Sequence, residues 1–532
     1  MSIMTASSGR QPKDRVHGVV YTPEAIADAI VAIANEGGAR TFAHILEPSV
    51  GDGAFVSAMA RSGMFLEGLV ALDIDHRPLD TLRTKFPNAK FFRQDFLEFA
   101  LSKETHRFDL IIGNPPYIRL KNFSDAFAKN VEKVAEGCDY PKRHLKNAWA
   151  SFVVAAEQLL RDDGVLAFVV PYELMNVDYG SALQKSVFPK FDRVDVFVPD
   201  EKAFKQIDQD AVVLVGWKTH KHAGVFVHRV TNLEKLETTG RAVEFTSERD
   251  TATNLKAFLL DRRTINLVRT TLSKARPFSD FCKNSTGIVT AANHFFILSD
   301  EAVNGNELRE WVKPILKKST YLGSGPVFGS EVFDKLRMSK PVNLLDLNGY
   351  PPDGKHGAIN AYLGLGEQAG VPDSYKARHR RNWYQVPITP KAPGFFFKRS
   401  HAYPRLCINQ ADVYVTDTAY CLHPLGGSTI NGLCYSFYNS LTLLMAEIDG
   451  RFYGGGVLEL TPNELRGLPL FYTEPSQEEF ETFANSPNWG DPIALAKWGD
   501  QLLVDRHGFA GADLDLIHKA WLTIRSHRLR HS

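Results

Sequence analysis

Between Tyr21 and about Phe226, short apolar runs of strand length alternate with stretches of helical spacing. No other feature constrains the fold as tightly. A strand followed by a helical crossover returns beside its predecessor in the same direction, so the pattern predicts an α/β, parallel, doubly wound sheet. The helix "PEAIADAIVAIAN" comes first, with Thr22 placed as N-cap and Pro23 at the first helical position. Then come "HILEPSV", "LEGLVALDID", "AKFFRQDF", "FDLIIGNPPY", a helix around "AWASFVVAAEQLL", and "GVLAFVVP". "RVDVFVP" and "DAVVLVGWK" read as two more strands.

The chemistry sits where these strands stop, because open α/β sheets bind ligands at the carboxyl ends of their strands. "DLIIGNPPYIRL" ends abruptly: two prolines cannot donate to a sheet ladder, so the strand stops at Asn114. In "LEPSVGDGAF", Gly51 and Gly53 allow close backbone approach. This is neither a phosphate loop nor a full Gly-x-Gly-x-x-Gly, and acids flank the glycines: Glu47 before them and Asp52 between. Acids repel phosphate and suit a cationic ligand, such as a sulfonium bearing an amino group. A plain strand-to-helix turn is the competing reading. Asp73 ends the next strand, where an acid accepts from both hydroxyls of a ribose, while Asp75 can cap the following helix. Asp95 ends a third strand and can accept from the exocyclic amine of an adenine.

The 532 residues suffice for two or three domains, and 44% hydrophobic with 23% charged residues mark a globular chain. Five scattered cysteines without a Cys-x-x-Cys pair argue against a disulfide framework or structural zinc and for a reducing compartment. No signal core and no spanning apolar run is visible, so a cytoplasmic protein with no membrane partner is expected.

"YTP", "EPSVGDGAF", "ALDID", "RQDF" and "GNPPY", in that order, resemble the S-adenosylmethionine-dependent adenine-N6 DNA methyltransferases. The likeness is to the gamma class with the Asn-Pro-Pro-Tyr tetrapeptide, as in type II restriction-modification systems. It extends through "STGIVTAANHFFIL", "RRNWY", "NQADVYVTDTAY" and "YGGGVLEL". The resemblance implies a Rossmann-like methyltransferase sheet over 17–230, after a loose tail at 1–16. A mixed α+β DNA-recognition domain over 231–532 would follow, entered through a helical connector near 231–280. It implies S-adenosylmethionine held by Tyr21, Thr22, Pro23, Glu47, Ser49, Gly51, Asp52, Gly53, Asp73, Ile74, Asp95, Phe96 and Asn114, with no metal. Ser49-Val50 departs from the Ala-Cys or Gly-x of relatives, and little effect is expected from it.

By the same resemblance Asn114, Pro115, Pro116 and Tyr117 are catalytic. An adenine N6 lone pair is delocalised and weakly nucleophilic. The Asn114 amide oxygen and the Pro115 carbonyl can accept both N6 hydrogens and favour a pyramidal nitrogen, stabilisation that acts where charge develops. A base inside a duplex must be flipped out to reach such a turn. Tyr117 and Phe204 are the expected stacking rings, although Phe204 reads equally well as core.

The net charge of +1 hides a basic stretch: eight Lys/Arg and no Asp or Glu lie between Ser374 and Ala411, interleaved with aromatics. A solvated basic face is the competing reading. Arg378, Arg380, Arg381, Trp383, Lys398 and Arg399, with Thr290 and Asn293 of a second loop, are the expected contacts to double-stranded DNA. A monomer is expected, with room for a separate cognate restriction endonuclease. No nuclease motif is visible, and too few residues precede Tyr21 to hold such a domain. A protein glutamine methyltransferase, an RNA adenine methyltransferase and a catalytically silent DNA-binding subunit remain alternatives.

Overall fold

The computed structural model describes residues 21–102, 107–137, 140–175, 178–201, 204, 210–238, 241–243, 255–453 and 455–529. The tail expected at 1–16 lies outside them. Two compact units result: one closes at Arg262 and takes in Phe452–Gly455, the other comprises Arg263–Arg451 and Gly456–Leu529.

In the first unit, helix α1 (Glu24–Ala34) precedes β1 (Ile45–Glu47), α2 (Ala54–Arg61), β2 (Leu69–Asp73), α3 (His76–Lys85), β3 (Lys90–Arg93), α4 (Phe96–Ala100) and β4 (Phe108–Gly113). Then follow α5 (Asp125–Gly137), α6 (Ala148–Leu159), β5 (Leu160–Pro171), α7 (Asp178–Ser186), β6 (Arg193–Pro199), β7 (Ala211–Trp217), β8 (Gly224–Val230) and β9 (Arg241–Val243). These described strands form one sheet in the order β3-β2-β1-β4-β5-β7-β6-β8-β9.

Strand alternation builds two cores, one on each face. Leu110 and Ile112 of β4 pack with Ile26, Phe55 and Leu79 of α1 to α3. Ile111 between them packs with Phe96, Val131 and Trp149 of α4 to α6. In β5, Leu166, Phe168 and Val170 face the second cluster, whereas Val165, Ala167 and Val169 face the first. Burial on both faces explains why these strands are continuous apolar runs.

Strands β1, β2, β3, β4 and β5 are parallel, as expected. The parallel pattern ends at β7, which inserts antiparallel between β5 and β6. A strand returning directly from its predecessor runs antiparallel, since a parallel return needs a long crossover. The connector expected at 231–280 is only partly helical. It contributes β9 to the sheet before helix α8 (Arg262–Leu272), so the first unit runs past residue 230. Thr22 is not the cap of α1: Pro23 occupies the N-cap position and no side chain caps the helix.

In the second unit the described strands form a five-stranded sheet ordered Cys282–Thr286, Ala419–Pro424, Gly394–Phe397, Leu406–Asn409 and Val327–Phe328. A four-stranded sheet is ordered Ile297–Leu298, Asn343–Leu345, Val312–Leu316 and Tyr414–Val415. The helical spacing at the end of the chain is realised as Pro492–His507 and Gly511–Leu529. Buried Arg528 forks onto Glu447 with two bonds of 2.7 Å, tying the last helix to Ser440–Asp449.

Candidate active site

Because β1 to β4 are parallel, their carboxyl ends meet at one edge, and each delivers a polar side chain there. At the end of β2, Asp73 Oδ2 accepts from the Gly51 amide and Oδ1 from the Asp75 amide, both at 2.9 Å. The carboxylate is held rigidly while lone pairs stay available. Gly51 and Gly53 have φ of +51° and +82°, and a Cβ at Gly53 would fall 2.3 Å from Leu82 Cδ2. The tight loop therefore needs glycine there. Asp75 caps α3, accepting from the Arg77 amide at 3.1 Å. Asp95, past β3, caps α4 by accepting from the Glu98 amide at 3.0 Å, and the Asn130 side chain also bonds it. Burial pushes its carboxyl above the usual range.

Glu47 at the end of β1 is fully buried against Gly113, and neither carboxylate oxygen has a hydrogen-bond partner among the described residues. Burial, then the negative neighbours Asp52 and Asp73, pushes its carboxyl well above the usual carboxylate range. An orphaned carboxyl of this kind calls for a cationic partner.

Beyond β4, the Asn114 amide Nδ2 donates to Thr22 Oγ1 at 3.1 Å, which identifies Oδ1 as the acceptor end. The backbone carbonyl of Asn114 accepts from Ser49 Oγ at 2.9 Å. Ser49, where the sequence departs from relatives, is thus joined to the residue that opens the tetrapeptide. Tyr117 packs into the core and donates its hydroxyl to the Val169 carbonyl at 3.3 Å.

A cavity of about 430 Å³ opens along this edge, lined on one side by Tyr21, Ser49, Gly51, Asp73, Ile74, Asp95, Phe96, Asn114, Pro115 and Pro116. Thr22, Pro23, Glu47, Asp52, Gly53 and Tyr117 do not line it. The opposite wall, from Asn122, Phe123, Phe127, Asn130 and Phe152, escaped the sequence reading. They come from the segment before α5, from α5 and from α6, and only their position after the tetrapeptide could have flagged them. Both expected stacking rings are buried. Tyr117 is 9% exposed and Phe204 4% exposed, and Phe204 lies in the cluster of Ile26 and Phe55. Each ring belongs to a buried apolar cluster, as favours large rings.

Residues 69–193 match the family model of the Eco57I restriction-modification methylase. Residues 252–503 match that of the C-terminal domain of type II methyltransferase M.Eco57I. The chain is thus similar to Eco57I-like type II restriction-modification methyltransferases. Type II methyltransferase M.XamI of Xanthomonas campestris pv. amaranthicola is 23% identical over 465 residues, covering 85% of each chain. M.AccI of Acinetobacter calcoaceticus is 22% identical, covering 80% of each. Among solved structures, the type IIG restriction endonuclease BpuSI aligns with 97% of this chain and 66% of its own at 16% identity and TM-score 0.41.

In the second unit the basic stretch divides. Arg380 donates to the carbonyls of Trp383, Val289 and Thr290 at 3.1, 3.0 and 2.8 Å, and burial lowers its pKa. It is a loop clamp and not an open cation. Thr290 is buried and donates to Asn293 Oδ1. Trp383 packs on Phe295 and on Gly366, where a Cβ would come within 2.5 Å of its ring. Lys398 lies 5.0 Å over the Tyr420 ring, and Arg399 pairs with Glu459. Lys391 pairs with Asp412, and Arg405 donates to the carbonyls of Gly323, Ser324 and Gly325. Lys376, Arg378 and Arg381 are exposed beside Tyr375, itself 69% exposed. Among the described residues no helix is long and apolar enough to cross a membrane.

Arg380→Ala should therefore destabilise the protein by about 2 kcal/mol, because three buried-side carbonyls lose a charged donor. Arg381→Ala should stay within about 0.5 kcal/mol of wild type, as a surface change does. Urea unfolding of the two variants checks this, and equal midpoints would contradict the clamp.

Proposed function

We propose that this chain moves a methyl group from S-adenosylmethionine to N6 of an adenine flipped out of duplex DNA, as the modification enzyme of a restriction-modification or related defence system. The observation that supports this best is the convergence of an orphaned buried carboxyl and an end-fixed amide at one sheet edge. The residues suit the donor. Glu47 offers two unpartnered oxygens to an ammonium, Asp73 retains lone pairs for ribose hydroxyls, and Asp95 stands ready for an adenine amine. The cavity of about 430 Å³ has the size of a small-molecule site. When bound, S-adenosylmethionine supplies an electrophilic methyl group.

The protein's part is orientation. Asn114 Oδ1 and the Pro115 carbonyl accept the two N6 hydrogens, which turns the nitrogen lone pair out of conjugation. Both acceptors stabilise the positive charge that grows on N6 as it is methylated. The nitrogen then loses a proton to solvent, and no side chain has to remove it beforehand. A flipped base stacks on Tyr117 once its ring is uncovered; Phe204 would need the same release from its cluster. Lys376, Arg378 and Arg381 are proposed as backbone contacts to DNA, since phosphate binding needs cations not already spent within the protein.

Asn114→Ala removes one of two preorganised acceptors, so turnover should fall about 100-fold or more while DNA affinity changes little. Wild-type product should be N6-methyladenine by mass spectrometry of digested DNA. Finding 5-methylcytosine, N4-methylcytosine, or methylated RNA or protein instead would refute the reading.

Glu47 makes donor binding proton-linked. Burial raises its pKa and so favours the protonated form in the free protein, while a cation beside it favours the carboxylate. Binding therefore releases a proton, and affinity rises with pH until Glu47 is ionised in the free protein as well. Calorimetry in buffers of different ionisation enthalpy should register that release, and Glu47→Gln should abolish it while weakening binding.

Arg378→Ala with Arg381→Ala should weaken DNA binding and flatten its dependence on salt by about one to two counterions, leaving donor affinity unchanged. An unchanged salt slope would rule these residues out as phosphate contacts.

A further inference from the structure

We propose that Thr22 and Ser49 are positioning residues that hold Asn114 for the reaction, a role that rests on the function proposed above. Thr22 enters from the segment before α1 and Ser49 from the loop after β1, so two separate elements converge on one residue of the turn after β4. Thr22 Oγ1 accepts from Nδ2 at 3.1 Å, and Ser49 Oγ donates to the backbone carbonyl at 2.9 Å.

The two contacts do different things. An Asn side chain has an acceptor end and a donor end of nearly the same shape. Turned the wrong way, Asn114 would present N–H groups to the N6 hydrogens and repel them. Nδ2 held at Thr22 leaves Oδ1 as the end that can accept. Ser49 fixes the peptide from which the side chain springs. Prolines follow at 115 and 116, so this carbonyl anchors a turn that can make no sheet bonds of its own through their nitrogens. The loop carrying Gly51 and Gly53 is thereby joined to the acceptor turn. Thr22 is buried, so its hydroxyl loses little to competing water.

Tritiated methyl transfer to unmodified plasmid DNA tests the clamp at saturating donor in a single turnover. The proteins are wild type, Thr22→Val, Thr22→Ser, Ser49→Ala, Asn114→Ala, and Asn114→Ala combined with Thr22→Val or with Ser49→Ala. Thr22→Val and Ser49→Ala should each slow transfer about tenfold, the effect of one hydrogen bond of ordinary strength. Thr22→Ser, which keeps the acceptor, should restore most of the rate. With Asn114→Ala already present, neither change should cost more than about twofold, because partners acting through one residue are not additive. Full losses in that background overturn the proposal. So does a loss confined to donor affinity, which would make both residues cofactor contacts only. If wild type methylates no DNA adenine, the functional reading falls. The same cycles read in the melting temperature of the ligand-free protein then decide the clamp: coupled losses uphold it and additive ones overturn it.

Discussion

Parallel pairing of β1, β2, β3 and β4 is the constraint on which the rest of the site depends. Strands β1, β2 and β4 are largely buried on both faces and can offer little chemistry along their length, whereas β3 is the exposed outer strand. Polar groups can stand only where a strand stops, and parallel pairing makes all of them stop at one edge. Glu47, Asp73, Asp95 and Asn114 thus converge although 67 residues of sequence separate the first from the last. One antiparallel strand among the four would have sent its polar end to the opposite edge. The inserted antiparallel strand comes later, at β7, beyond the strands that build the cavity.

The same edge carries an electrostatic imbalance. Burial, and then the nearby Asp52 and Asp73, disfavour the ionisation of Glu47. In a protein that had only to fold, an unpartnered buried carboxyl would be a net cost, since its ionised form is poorly solvated. A cation beside Glu47 would offset that cost, and under the proposed function this would link the stability of the edge to donor binding.

The second unit shows why charge counting needs coordinates. Eight basic residues in one stretch suggest a continuous positive surface. Five of them are occupied within the protein, with carbonyls, carboxylates or a ring as partners. Arginine in particular can satisfy several loop carbonyls with one planar fork, as Arg380 and Arg405 do. A basic run in sequence therefore overstates the positive surface offered to a partner.

By itself the sequence determined the alternating α/β architecture, the strand ends, and the residues placed on them. Buried strands, glycine turns and the Asn-Pro-Pro stop are local, and their physics is complete within about ten residues. The reading of Asp75 as a helix cap held for that reason. Thr22 was misread as a cap because a threonine before Pro-Glu has the local signature, while its real partner, Asn114, lies 92 residues away. Ser49 reads in the sequence as a cofactor contact in the glycine loop, and only folding put its hydroxyl against the Asn114 carbonyl. The cavity wall from Phe123, Phe127, Asn130 and Phe152, the burial of Tyr117 and Phe204, and the division of the basic stretch were likewise decided by tertiary structure. A side chain's role depends on which distant group satisfies it, and hydrogen-bond and packing partners across a sheet leave no periodic trace in the chain.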